Sequence, residues 1–236
     1  MNKKPTVLAL GSGFAEQDYA LALERNTVLP NLPFAHLNLT RNPFGELSLE
    51  ERGTLVVSRL ECFVPSLRQP CFALQVLGKC GRGKTSHLLS LRRHFPTAPY
   101  VHYPEDGPRP HVPQAPLLFL DETQRYKSRD LKNILKQNAS FVIGTHQDHT
   151  NLFKTLGLKH YTLHLKGLKP EHLAEILRRR LEASRRGSGP IPTLETDVIH
   201  RLIHSFGDDI RAIEAYLYEI FQGLETVGAV KLDTIN

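Results

Sequence analysis

No run of about eighteen apolar residues occurs in this 236-residue chain, so no membrane span is expected. Cysteine is scarce. Cys62, Cys71 and Cys80 are odd in number and lack Cys-x-x-Cys spacing, which argues against a disulfide framework and against a zinc site. The expected compartment is a reducing cytoplasm. The first residues carry Lys3 and Lys4 ahead of an apolar stretch too short for a secretion signal. Gly11-Ser12-Gly13-Phe14 resembles a glycine turn after a strand and is too short to define a site. No internal repeat is evident. Histidine, by contrast, is plentiful, with twelve residues. His200 and His204 lie four apart on a predicted helix, a spacing that can share a metal, but no third ligand accompanies them. These two, like His146 and His149, are read as core or surface side chains.

The hydrophobic share of 40% supports a real core, and the length suits one large domain or a core domain with a small one. A net charge of +6 is compatible with polyanionic partners, nucleic acid among them, without establishing any. The most specific string is Gly78-Lys79-Cys80-Gly81-Arg82-Gly83-Lys84-Thr85, which fits the P-loop pattern of glycine, any four residues, then Gly-Lys-Ser/Thr. The glycines let the backbone turn tightly and aim successive N–H groups at a phosphate. Lys84 places a positive charge against the terminal phosphates. Thr85 can offer its hydroxyl to Mg²⁺, and Ser86 is grouped with Gly78–Thr85 as the nucleotide-binding segment. Phe72–Leu77 before the loop has the length of a buried strand. Leu88, Leu89, Leu91 and Phe95 after it sit at helical spacing, up to Pro96. A helix starting at the loop adds the positive end of its dipole to the same place. Cys80, at a variable position of the loop, is open to oxidation or alkylation.

A second apolar run, Leu117-Leu118-Phe119-Leu120, ends in Asp121 and Glu122. In a doubly wound sheet, ligands bind at such carboxyl ends. Asp121 is the candidate for holding Mg²⁺ through its water shell, and Glu122 the candidate general base that polarises an attacking water. Ser140–Thr145 is a further strand. With the glycine-loop strand lying between it and the Asp-Glu strand, Thr145 would sit near the terminal phosphate and could orient water or sense hydrolysis. Gly207-Asp208-Asp209-Ile210-Arg211 opens the last predicted helix, with Asp208 as its expected N-cap. Arg211, projecting from that helix start, can reach a phosphate and report closure of the cleft.

The chain divides into an N-terminal extension, 1–68, an α/β core, 69–166, and a helical domain, 167–236. The extension holds predicted helices near Glu16–Glu24 and Leu49–Cys62. Ser48 and Glu51 fit a capping box for the latter, after an Asn42-Pro43 turn. Core strands are expected at 72–77, 98–103, 117–121, 140–144 and 160–165. Seven prolines between Pro96 and Pro116 exclude a long helix there, so the stretch from Tyr103 to Leu117 reads as an extended crossover. Helices follow near 170–181, 194–206 and 208–222. Arg178-Arg179-Arg180 and Arg185-Arg186 form a basic stretch that is either a solvated face or a nucleic-acid contact.

Strand, glycine loop and helix, then Leu-Asp-Glu, then a strand ending in Thr145, then a helical domain bearing Gly-Asp-x-Ile-Arg, together resemble the AAA+ ATPases. The resemblance spans roughly residues 40–222. It implies a three-layer α/β P-loop fold with a parallel sheet and a small all-helical C-terminal lid. It also implies ATP and Mg²⁺ as ligands, with Gly78–Thr85 as Walker A, Asp121 and Glu122 as Walker B, Thr145 as sensor 1 and Arg211 as sensor 2. The Asn42-Pro43-Phe44 turn is similar to the segment near adenine in the ExeA, TniB and IstB-like branch. Such proteins hydrolyse ATP to move a protein or nucleic-acid partner, DNA included, and commonly form nucleotide-dependent homo-oligomers. An arginine finger is expected just before the last core strand. Here Asn151–His160 offers Lys154 and Lys159 and no arginine, and lysine lacks the bidentate fork. Arg125 and Arg129 are the substitutes. The departure leaves a second expectation open, a nucleotide-dependent switch or adaptor with little hydrolysis.

Overall fold

The apolar runs of the middle of the chain pair into one sheet in a computed structural model that describes residues 32–232. The predicted helix near Glu16–Glu24 and the Gly11–Phe14 turn lie outside the described residues. Strand β1 is Phe72–Leu77, β2 Tyr100–His102, β3 Leu117–Asp121, β4 Ser140–Thr145 and β5 Lys159–His164. All five strands are parallel, in the order β2-β3-β4-β1-β5. The expectation that β1 separates the strands of Asp121 and Thr145 is corrected here. β4 pairs with both β1 and β3. The reason is burial. Every residue of β4 is buried, whereas β5 alternates exposed and half-buried positions. A strand that is apolar on both faces gains most in the sheet interior, and the mixed strand takes the edge.

Alternation along the strands sends side chains into two layers. Leu118 and Leu120 of β3, with Phe141 and Ile143 of β4, pack against Leu131 and Leu135 of α4 (Ser128–Leu135) and Phe153 of α5 (Thr150–Thr155). Leu117 and Phe119, with Leu74, Val76 and Val142, pack on the other face against Leu88 and Leu91 of α3 (Lys84–Arg92). That second layer is completed by α1 (Leu49–Leu55), a 3-10 turn at Leu60–Phe63 and the short α2 (Val64–Leu67). The result is a three-layer arrangement around a parallel sheet. From Tyr103 to Pro116 the chain is neither helix nor strand, as its prolines dictate.

The third core is helical. α6 (Pro170–Ala183), α7 (Thr196–Phe206) and α8 (Ile210–Gln222) enclose Leu173, Leu177, Leu202, Ile213, Leu217 and Phe221. Leu37, Leu39 and Phe44, which precede the sheet in the chain, belong to this same core. Phe44 meets Phe221 edge-on at 5.0 Å between ring centres. Arg180 secures that segment. Its guanidinium donates to the carbonyls of Pro43 (2.8 Å) and Gly45 (2.5 Å) and to Glu214 (2.7 Å).

Three local expectations are revised. The helix from Leu49 ends at Leu55, not Cys62, because the Val56 carbonyl is taken by Arg179 at 2.7 Å and the backbone turns extended. The N-cap of α8 is Asp209, which accepts from the Ala212 N–H at 3.1 Å, while Asp208 faces Arg82. The basic stretch is largely neutralised in place. Arg178 and Arg179 bond Glu175, Arg180 bonds Glu214, and Arg185 bonds Glu182. Among the described residues, no helix is long and apolar enough to cross a membrane.

Candidate functional site

Because the strands are parallel, the carboxyl ends of β1, β3 and β4 open on one edge of the sheet. The glycine-rich loop leaves β1 there. Gly78 N–H donates to the Thr145 carbonyl at 3.1 Å, which fastens the start of the loop to β4. Gly81 (φ 77°) and Gly83 (φ 78°) adopt left-handed backbone, which residues with a Cβ rarely take. A Cβ at Gly81 would lie 2.0 Å from the Asp209 Oδ1 atom, so a side chain there is sterically barred as well. Gly83 caps α3 without a side chain, leaving the first N–H groups of this nine-residue helix unclaimed by any capping side chain. Lys79 and Cys80 are exposed on the loop's outer turn. Arg82 turns away from the loop's interior to Asp208 (2.5 Å) and the Leu165 carbonyl (3.2 Å).

Lys84 is buried, and its ammonium arches back to donate to the Lys79 carbonyl at 3.0 Å. It lies 3.9 Å from Glu122 Oε1. Burial lowers its pKa, while Glu122 and Asp121 pull the other way. Thr85 Oγ1 donates to Asp121 Oδ2 at 2.7 Å, joining the helix start to the acidic strand. Asp121 is fully buried and also accepts from the Tyr100 hydroxyl at 2.9 Å and from Glu122 N–H at 3.1 Å. Burial, then the Asp121 charge, pushes the Tyr100 pKa up, which keeps that hydroxyl a donor. The carboxylate fits only because residue 144 is glycine. A Cβ there would stand 2.4 Å from Asp121 Oδ1.

Glu122 takes left-handed backbone, φ 59°, at the end of β3. Its Oε2 accepts from Gln124 Nε2 at 2.5 Å and lies 3.6 Å from both Arg125 and His146. Gln124 also accepts from His146 N–H at 3.2 Å, so it bridges the ends of β3 and β4. The Thr145 hydroxyl does not turn toward this group. It donates to the Gln147 carbonyl at 3.0 Å and contacts His149 Nε2 at 3.2 Å. The strand-end residue that reaches Glu122 is His146. Arg211, exposed on the first turn of α8, hangs over the loop with its guanidinium 3.6 Å from Cys80 Sγ.

Comparison with protein-family models and with curated proteins finds no match to this chain.

Two adjoining cavities extend from these groups. One, about 490 Å³, is bounded by Gly81, Lys84, Thr85, Glu122 and Arg211, with Phe44 and Gly45 on its far side. The other, about 600 Å³, is walled by Val56, Val57, Leu60, Leu165, Leu168 and Ile176. Gly83 and Ser86 border both. The first presents cations, N–H groups and carboxylates; the second is mainly apolar. Among the described residues, no group of three or more His, Cys, Asp and Glu is placed to hold a metal. Thr85 and Asp121 are hard oxygen donors 2.7 Å apart beside Glu122. That donor set fits Mg²⁺, which keeps several waters and is held by one or two carboxylates together with substrate phosphates.

Tyr100, Gln124, His146 and His149 escape sequence reasoning. Gly144 alone carried a signal, as a glycine interrupting an otherwise apolar strand. Of the arginine-finger substitutes, Arg125 is engaged within its own chain by the Tyr103 carbonyl (2.9 Å) and Glu105 (3.3 Å), and Arg129 is exposed on α4.

Proposed function

We propose that this chain is a P-loop ATPase of the AAA+ type, which binds ATP with Mg²⁺ and uses hydrolysis to change conformation on a partner. The observation that carries the reading is the Thr85–Asp121 hydrogen bond. It spans 36 residues and joins the loop hydroxyl to a buried carboxylate, with Lys84 and Glu122 beside it. The triphosphate would occupy the polar cavity, against the loop N–H groups, Lys84 and Arg211. The base and sugar would occupy the apolar cavity behind Ser86. Thr85 and Asp121 would hold Mg²⁺, which when bound supplies charge neutralisation at the phosphates. Glu122 would accept a proton from the attacking water. Arg211, on the helical bundle, would sense the nucleotide and draw the bundle over it as a lid.

A specific observation favours a second reading, a switch with slow turnover. Glu122 is held by Gln124 and flanked by Arg125, and Asn151–His160 contributes no arginine for a neighbouring subunit. Calorimetry with ATP and steady-state hydrolysis assays separate these readings. Lys84→Ala should lose nucleotide binding while keeping its melting temperature; unchanged affinity would overturn the site. Glu122→Gln should bind ATP as the parent does and lose turnover. A parent protein that binds ATP but shows no turnover, alone or with DNA, would favour the switch.

A further inference from the structure

Four basic side chains with no ion-pair partner among the described residues lie on and beside α4. Between Thr123 and Asn138 stand five lysines and arginines and a single acid, Asp130. Asp130 is engaged by Arg109 at 2.9 Å. Arg129, Lys132, Asn133 and Lys136 are exposed at i, i+3, i+4 and i+7 spacing, so they form one ridge, while Leu131 and Leu135 face the core. Arg129, Lys132, Lys136 and the neighbouring Lys127 take part in no ion pair among the described residues. This contrasts with Arg178, Arg179 and Arg185, each of which holds a glutamate of α6.

We propose that the α4 ridge binds the phosphate backbone of nucleic acid. At about 1.5 Å rise per residue, Arg129 to Lys136 extends about 10 Å, enough to meet about three successive phosphates of one strand. Asn133, between the cations, adds an amide donor for a phosphate or sugar oxygen. A lipid surface is a poorer match, because the exposed large hydrophobic residues among the described residues are Leu32, Leu49 and Tyr161, none of them on this helix. The ridge begins at Arg129, four residues beyond Arg125, which lies 3.6 Å from Glu122, so an occupant would sit close along the chain to the proposed general base. The inference names the partner of the proposed ATPase and rests on that reading only for this coupling. Binding itself is tested without nucleotide.

The experiment is fluorescence anisotropy of the full chain with a labelled duplex and a labelled single strand, at several salt concentrations and without ATP. With three phosphate contacts on duplex, each doubling of salt should lower affinity roughly sixfold. Lys132→Ala/Lys136→Ala should weaken binding by more than about tenfold at low salt and reduce the logarithmic salt slope by about two. Arg178→Ala/Arg185→Ala removes the same formal charge and should bind as the parent does. The thermal melt of Lys132→Ala/Lys136→Ala should match the parent, because both side chains are exposed and without ion-pair partners among the described residues. Equal losses in the two double variants would reveal a general charge effect and overturn the ridge. So would an absence of salt-dependent binding in the parent. An acidic peptide bound as tightly, and with the same dependence on Lys132 and Lys136, would overturn the phosphate assignment. Loss of ATP binding in Lys84→Ala leaves every one of these readouts standing, so the two proposals fail separately.

Discussion

Arg180 and Arg211 border the same polar cavity, and their surroundings assign them opposite tasks. Arg180 is 5% exposed and bonds two backbone carbonyls and Glu214. Removing it leaves the half-buried Glu214 carboxylate and two carbonyls without their partner. Arg180→Ala should therefore lose about 3 kcal/mol of stability, read as a shifted denaturant midpoint. Arg211 is exposed and contacts only the weak acceptor Cys80 Sγ. If ATP binds as proposed, Arg211→Ala should melt with the parent in the absence of nucleotide and show a smaller rise in melting temperature when ATP is added. A large drop without nucleotide would make it a structural residue. Sequence spacing located Arg211 but could not tell Asp208 from Asp209, because two adjacent acids are equally good caps until the helix phase is fixed. It named Thr145 at the end of β4 and read the next residue, His146, as a core or surface side chain; that His146 comes within 3.6 Å of Glu122 depends on the turn after the strand, which no local pattern specifies.

At the scale of elements, what was local was legible. The five strands appear within about two residues of their expected spans, because buried parallel strands are short apolar runs with no competing periodicity. The capping box of α1 forms as expected, with Glu51 N–H donating to Ser48 Oγ at 3.2 Å and Ser48 N–H donating to Glu51 Oε2 at 2.9 Å. Arg41, then Ser48, lowers the Glu51 pKa to about 2. Ser48→Ala should cost about 1 kcal/mol of stability, measurable by denaturant unfolding. What was non-local was not legible. The break after Leu55 depends on Arg179, 123 residues away from Val56. Strand order depends on pairing across the sheet. The full apolarity of β4 against the mixed β5 was nonetheless a usable signal, overlooked in placing β1 between the two acidic and polar strand ends.

Over the whole molecule, histidine burial sets a pH dependence. His87, His149 and His172 have pKa values lowered mainly by burial, and so does His146. The unfolded chain binds protons at these sites near pH 6.5, and the folded chain resists them. Stability contributed by their neutral forms is present above that pH and falls as pH drops below it. Melting temperature should decline from pH 7.5 to 5.5, measured by calorimetry. His149→Asn, which removes one acceptor of the Thr123 and Thr145 contacts, should flatten that decline. Asp148 and Glu175, each held at about 2 by hydrogen bonds, add a further loss only in stronger acid.

The segment from Phe34 to Gly45 packs inside the helical bundle although α1 and the sheet follow it in the chain. The bundle is thus joined to the sheet layers by two strings of backbone, Glu46–Ser48 and Lys166–Lys169. A body held at one point can swivel in any direction, whereas a body held at two can only rotate about the line between them. Any movement of the bundle over the glycine loop is confined to that axis. The Arg82–Asp208 contact, at 2.5 Å, stands beside the second string, where Asp208 also accepts from the Gly167 N–H at 3.1 Å, so a rotation about that axis would turn close to the one ion pair that joins the glycine loop to the start of α8 among the described residues.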